Sequence, residues 1–311
     1  MTTIKKALLI GNCQVKSLAE TLNLFVADMA FDHLQVHSLP PGSAEAYLAE
    51  QARAAGEKYD LFLSFDLSPK FFCLSRDTIR DTFHGRDVLF ISNLWFDGYF
   101  PDIVTLGSTQ GRIDGPLAQY HSKIALFGFM SGWSEEETVA AFSEETYEAA
   151  GYFANWADAI RRLSTSDQTA DIRFGEEMAG LVQTDLCMFV VNHPTPVVFH
   201  RWADVISRSL SALGLASRRQ WMPHEALVPA HFVGTSAFPF YPELASRAGL
   251  GRLGSYCFKS PGTQSDSVLT LPEFVRREFA TFGDAGKDRL AQDPRWPTVQ
   301  AKMKALPEAV H

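Results

Sequence analysis

Over the first 130 residues, short apolar runs alternate with stretches whose apolar positions recur three and four apart. "KKALLIG" (5–11) has the unbroken apolar character of a strand buried on both faces. After it, Val15, Leu18, Ala19, Leu22 and Phe25 fall at helical spacing, which predicts a helix with one buried stripe. "HLQVHSL" (33–39) alternates as a second strand, and "PPGS" breaks it. "AEAYLAEQARAAG" (44–56) reads as a helix stopped by Gly56. "YDLFLSFDL" (59–67) is a third strand, "SRDTIRDTFHG" a helix closed by Gly85, "DVLFISNLWF" (87–96) a fourth strand, and "KIALFGFM" (123–130) a candidate fifth.

Strand and helix in alternation predict an α/β fold, a doubly wound, mostly parallel sheet. In such sheets the working site lies beyond the carboxyl ends of the strands. That rule brings Cys13, "DLSPK" (66–70) and "SNLWFDGYFPD" (92–102) to one rim.

From residue 134 the pattern changes. Ser134 with Glu137 three residues on is a capping box, and helical patterning such as "YFANWADAIRRL" continues to 183, which suggests a helical cap or insertion (134–183) within one α/β domain spanning 1–311. "LCMFVVNHPTPVVFHRWADVISRSLSALGL" returns to an apolar run and then a long helix. Thr195 is its expected N-cap, Pro196 its first residue, and Val198, Trp202, Val205 and Ile206 its inner face. Residues 215–311 read as a loop-rich C-terminal extension rich in Pro, Gly and aromatics, with "LPEFVRREFATFG" as a late helix.

Composition narrows the function. The 311 residues are 46% hydrophobic and 21% charged, with net charge −8, so a phosphate-backbone partner is disfavoured and no nucleic acid is expected. Cysteines 13, 73, 187 and 257 form no C-x-x-C pair, which predicts free thiols in a reducing compartment and no metal site. "MTTIKKALLIGN" is too brief for a signal-peptide core and no run has membrane-spanning length, so the expectation is a cytoplasmic protein without a membrane span.

The chemistry centres on "IGNCQ" (10–14). A cysteine at a strand-to-helix turn projects above the rim, and the helix terminus favours thiolate and offers N–H groups to an oxyanion. Gly11 permits the turn, while Asn12 and Gln14 add polar contacts. A packed core cysteine remains the plainer reading of that motif alone. His193, in "VVNHPTP" between an apolar run and a capped helix, is the best-placed base, and Asn93 at the end of the fourth strand is a candidate oxyanion donor. Tyr99, Asp102 and His224 are candidates for a substrate pocket; Lys16, Lys70 and Arg112 are candidate cations for a phosphate-bearing cofactor. No G-x-G-x-x-G, Walker loop or H-E-x-x-H is present.

"GNCQ", "FDGYFPD", "GWSEEETVAAF" leading to "GYF", and "NHPTPVVF", in that order over residues 5–215, resemble the WcbI-type polysaccharide biosynthesis acetyltransferases. The resemblance implies an SGNH-hydrolase-related, flavodoxin-like core that uses coenzyme A or acetyl-CoA as cosubstrate, with Gly11, Asn12, Gln14 and Lys16 near it. It implies a saccharide acceptor in capsule-type surface polysaccharide synthesis. Cys13 looks like the SGNH nucleophile, Asn93 like the oxyanion asparagine, and His193 like the histidine of a D-x-x-H block. Val190 stands where that block has its aspartate, so the imidazole's orienting partner is Asn192 or a distant carboxylate, or the site is a dyad. Two other readings stay open: a cysteine-based esterase or thioesterase on the same scaffold, and a non-catalytic module binding coenzyme A or sugar.

Overall fold

The computed structural model describes residues 4–36, 58–66, 75–107, 111–262, 264 and 267–304. The expected helix 44–56 with Gly56, and residues Lys70, Cys73 and His311, lie outside the described residues.

The chain forms two compact units. One comprises residues 1–95, 161–182 and 192–231; the other comprises 96–160, 183–191 and 232–311. The segments 134–183 and 215–311 are each divided between them.

The first unit holds the sheet. Strands β1 (Lys5–Gly11), β2 (Met29–Gln35), β3 (Leu61–Phe65) and β4 (Asp87–Ile91) run in the order β2-β1-β3-β4. All three pairings are parallel, with Lys5 opposite Met29, Ala7 opposite Leu61, and Leu61 opposite Asp87. β3 is buried at every position because both of its faces are covered. Phe65 stacks on Trp202 of the helix Pro196–Ala212 with centroids 5.3 Å apart, and Phe62 stacks on Phe83 at 4.2 Å. Residues 62 and 65 point to opposite faces of a strand, so helical segments lie on both sides of the sheet, the doubly wound arrangement.

Helix α1 (Val15–Phe25) buries Val15, Leu18, Ala19, Leu22 and Phe25, the stripe expected from sequence. Helix α2 (Arg76–Thr82) starts at Ser75, whose side chain accepts from Thr78 N–H. β2 begins four residues before the expected strand, and its continuation past Val36 is outside the described residues. In the helix Pro196–Ala212, Val198, Trp202 and Ile206 are buried as expected, whereas Val205 is half-buried.

The second unit is helical, with aromatic packing. "KIALFGFM", expected as a fifth strand, is instead the helix Lys123–Ser131. A short apolar run does not distinguish the two by periodicity. The ends decide: Ser122 accepts from Ala125 N–H, and Gly132 closes the helix at φ 82°. Helix Glu135–Ala140 carries the expected capping box, and Leu271–Ala285 is the expected late helix, packing on both of these. No helix among the described residues is long and apolar enough to cross a membrane.

Candidate active site at the β1–α1 corner

The corner is made by close packing at Gly11. A Cβ there would lie 2.6 Å from both Phe65 Cδ2 and Val15 Cγ1, so only glycine lets the end of β1 pass β3 and turn into α1. Asn12 then shapes the turn: its Oδ1 accepts from Gln14 N–H at 2.9 Å, and its carbonyl accepts from Val15 N–H at 3.2 Å. The Asn12 Nδ2 donates to Asn93 Oδ1 at 2.8 Å, which joins this corner to the segment leaving β4.

Gln14 is fully buried and holds two further segments. Its Nε2 donates to the Leu94 carbonyl at 2.8 Å and to the Asn192 carbonyl at 2.9 Å. Its Oε1 is buried without a hydrogen-bond partner, as is Ser17 Oγ one turn later. Buried polar atoms without partners are rare in folded proteins and costly, so two at the first turn of one helix mark a corner built for something besides packing.

Cys13 lies between these amides, half-buried. Asn192 Nδ2 approaches its Sγ at 3.9 Å. Burial pushes the thiol up to about 11, and the hydrogen bond from its own backbone N–H offsets only part of this. Withdrawal of the sulfur from water thus opposes the thiolate that the helix terminus is expected to favour.

The structure thus brings Cys13, Asn12, Gln14, Asn93 and Asn192 together. His193 is half-buried and begins the two-residue strand His193–Pro194 rather than lying in the expected loop; its chain neighbour Asn192 ties that backbone to the Cys13 corner through its carbonyl and amide. Asn93 spends its Oδ1 on Asn12, which leaves its Nδ2 group as an uncommitted donor among the described residues. Lys16 is exposed on the first turn of α1.

Other expected residues serve elsewhere. Tyr99 and Asp102, expected as pocket residues, are inaccessible in the second unit. Tyr99 Oη donates to the Asp185 carbonyl at 2.5 Å, and Asp102 accepts from Ser122, Tyr152, Tyr241 and Ile124 N–H. Arg112, also in that unit, is exposed with its charge met by Asp114 at 2.6 Å. His224 Nδ1 accepts from Ala226 N–H at 3.1 Å, capping the short helix Glu225–Leu227. Gln14, expected only as a polar contact, is a clamp, and Asn192, expected as a partner of the imidazole, neighbours the sulfur. The run of amides in N-C-Q and N-H was the available signal. Among the described residues, no group of three or more His, Cys, Asp or Glu side chains is arranged to hold a metal ion.

A solved structure described as WcbI, a novel polysaccharide biosynthesis enzyme, in its native form without a disulfide bond between coenzyme A and a cysteine, has the same fold. It aligns with TM-score 0.70 and 15% identity over 98% of this chain and 99% of that one. No curated protein matches the chain. The family model of the polysaccharide biosynthesis enzyme WcbI matches residues 6–218, and the chain belongs to that family of enzymes.

Proposed function

We propose that this enzyme transfers an acyl group, acetyl in the simplest case, from a coenzyme A thioester to a saccharide hydroxyl during synthesis of a capsule-type surface polysaccharide, in the cytoplasm. The observation that carries the reading is the amide cluster on Cys13, with the Asn93 Nδ2 group uncommitted beside the start of α1. A thioester carbonyl attacked by a hydroxyl becomes a tetrahedral oxyanion. Fixed N–H donors lower that barrier without reorganising during the reaction. Asn93 and the backbone at the first turn of α1 take that role. Lys16, exposed on the same turn, meets the phosphates of the donor, and half-buried Asn12 lies beside its pantetheine arm, with buried Gly11 and Gln14 holding the turn behind it.

The solved structure of WcbI, named as a form without a disulfide between coenzyme A and a cysteine, supports Cys13 as the neighbour of the donor's sulfur. A thiol held up to about 11 carries little thiolate at neutral pH. This favours direct attack by the sugar hydroxyl over a preformed thiolate nucleophile. His193 removes the hydroxyl proton and returns it to the departing coenzyme A thiolate.

The test is release of free coenzyme A from acetyl-CoA with and without saccharide acceptors. Acceptor-dependent release supports transfer. Release that ignores the acceptor identifies a thioesterase, and absence of calorimetric binding of coenzyme A removes both enzymatic readings.

A further inference from the structure

Between residues 196 and 222 the chain carries four arginines and one carboxylate, Asp204, in a protein of net charge −8. Arg201 and Arg208 lie seven apart on the exposed side of the helix Pro196–Ala212, hence on one face. Asp204 is buried and shared: Arg208 Nε is 3.2 Å from its Oδ2, and Arg218 reaches its Oδ1. Two guanidinium groups on one carboxylate leave a positive surplus. Arg219 is exposed, and its Nη2 donates to the Asn23 carbonyl at 3.4 Å, a contact that cancels no charge. At the base of the loop, Asp28 accepts from Ser217 N–H at 2.7 Å and its charge is offset by neighbouring Lys5.

The same stretch exposes large apolar side chains. Leu213 is 58% exposed, Trp221 67% and Met222 50%. Their presentation is enforced on both sides of the tip. Arg219 N–H donates to the Phe25 carbonyl at 2.9 Å, and the Pro223 carbonyl accepts from the buried His200 Nε2 at 2.8 Å. The tripeptide Gln220–Met222 is thereby anchored one residue before and one residue after, with its indole held outward.

We propose that this face docks on an anionic phospholipid bilayer, with Arg201, Arg208 and Arg219 against the headgroups and Trp221 and Met222 in the interfacial layer. Arginine surplus on an otherwise acidic protein gives attraction to an anionic leaflet. An indole beside it suits the headgroup level, where its apolar ring and N–H are both accommodated. The described helices do not span a bilayer, so such attachment is peripheral. The proposal is independent of the acyl-transfer reading.

The experiment is cosedimentation of the full chain with phosphatidylcholine vesicles and with vesicles containing phosphatidylglycerol. The expected result is binding to the anionic vesicles alone, lost at high salt, with a blue shift of tryptophan emission that Trp221→Ala removes. Arg219→Ala should weaken binding about fivefold. Both side chains are exposed, so neither substitution threatens folding, and circular dichroism verifies this. Absence of binding to anionic vesicles at low salt overturns the proposal. So does binding to the soluble polyanion polyglutamate as tight as to vesicles and unaffected by Trp221→Ala, which marks a site for an acidic macromolecule.

Discussion

Around Cys13 in the first unit and around Asp102 in the second, the chain buries polar side chains, but the two clusters are wired to opposite ends. Asp102 is inaccessible, and it receives Tyr152 Oη and Tyr241 Oη at 2.7 Å each, Ser122 Oγ at 2.5 Å and Ile124 N–H at 3.1 Å. Burial pushes its carboxyl up, and the Ser122, Tyr241 and Tyr152 hydroxyls together with the Lys123 charge pull it back only in part. Tyr147 stacks between Tyr152 and Tyr241, so the donors are themselves immobilised. The Cys13 corner is composed of neutral amides and, among the described residues, it is incomplete: the buried Gln14 Oε1 meets no donor, and the Asn93 bond to Asn12 uses its Oδ1 and not its Nδ2. A saturated cluster fixes a fold, whereas an unsaturated one keeps hydrogen-bonding capacity for a ligand.

The sharpest test of that contrast is the reactivity of Cys13. With its thiol held up to about 11, the folded protein should alkylate slowly at pH 7. The rate should climb tenfold per pH unit, about 10⁴-fold by pH 11, because only the thiolate reacts. Iodoacetamide labelling followed by peptide mass spectrometry reads each cysteine separately, and the exposed Cys257 should label first. A Cys13 rate that levels off below pH 8 would mean that the helix field, not burial, governs the sulfur.

Next in size is Asn93→Ala. On the proposed acyl-transfer reading this removes one oxyanion donor, so turnover should fall by about 10²–10³-fold while KM for the acyl donor changes far less. Unfolding in urea should hardly shift, since among the described residues the Asn93 side chain makes one hydrogen bond, at a half-buried position. Asp102→Ala should do the reverse. It strands two phenols, a hydroxyl and a backbone N–H in a dry interior, at about 3 kcal/mol or more of stability, with turnover per folded molecule retained. A loss under about 1 kcal/mol would show that the tyrosines repack and that the cluster is not the second unit's keystone.

The sequence made one cluster visible and hid the other for a physical reason. Gly11, Asn12, Cys13 and Gln14 are neighbours in the chain, so the strand-to-helix corner could be read from local pattern. Asp102 meets Tyr152 and Tyr241 only through tertiary structure, 50 and 139 residues away, and it was read from its own motif as a pocket residue. The thiol's raised pKa was hidden likewise, because desolvation is a property of surroundings that periodicity does not report. "KIALFGFM" failed differently: an apolar run of that length fits either a strand or a helix, and the Ser122 and Gly132 caps that settle it lie just beyond its ends.

The smallest expected effect isolates how far burial, rather than hydrogen-bond count, sets these costs. Ser134 and Glu137 satisfy each other's backbone as fully as two residues can: Glu137 N–H donates to Ser134 Oγ at 3.1 Å, and Ser134 N–H to Glu137 Oε2 at 2.6 Å. Ser134 is exposed and Glu137 half-buried, so water reaches this cap and replaces either bond when it is lost. Ser134→Ala should cost about 1 kcal/mol, well below Asp102→Ala in the same unit, although each removes a hub of local hydrogen bonds. Thermal unfolding of the two variants side by side measures the ratio. Equal losses would break the distinction drawn here, because they would mean that a solvent-facing cap and a dry carboxylate are worth the same.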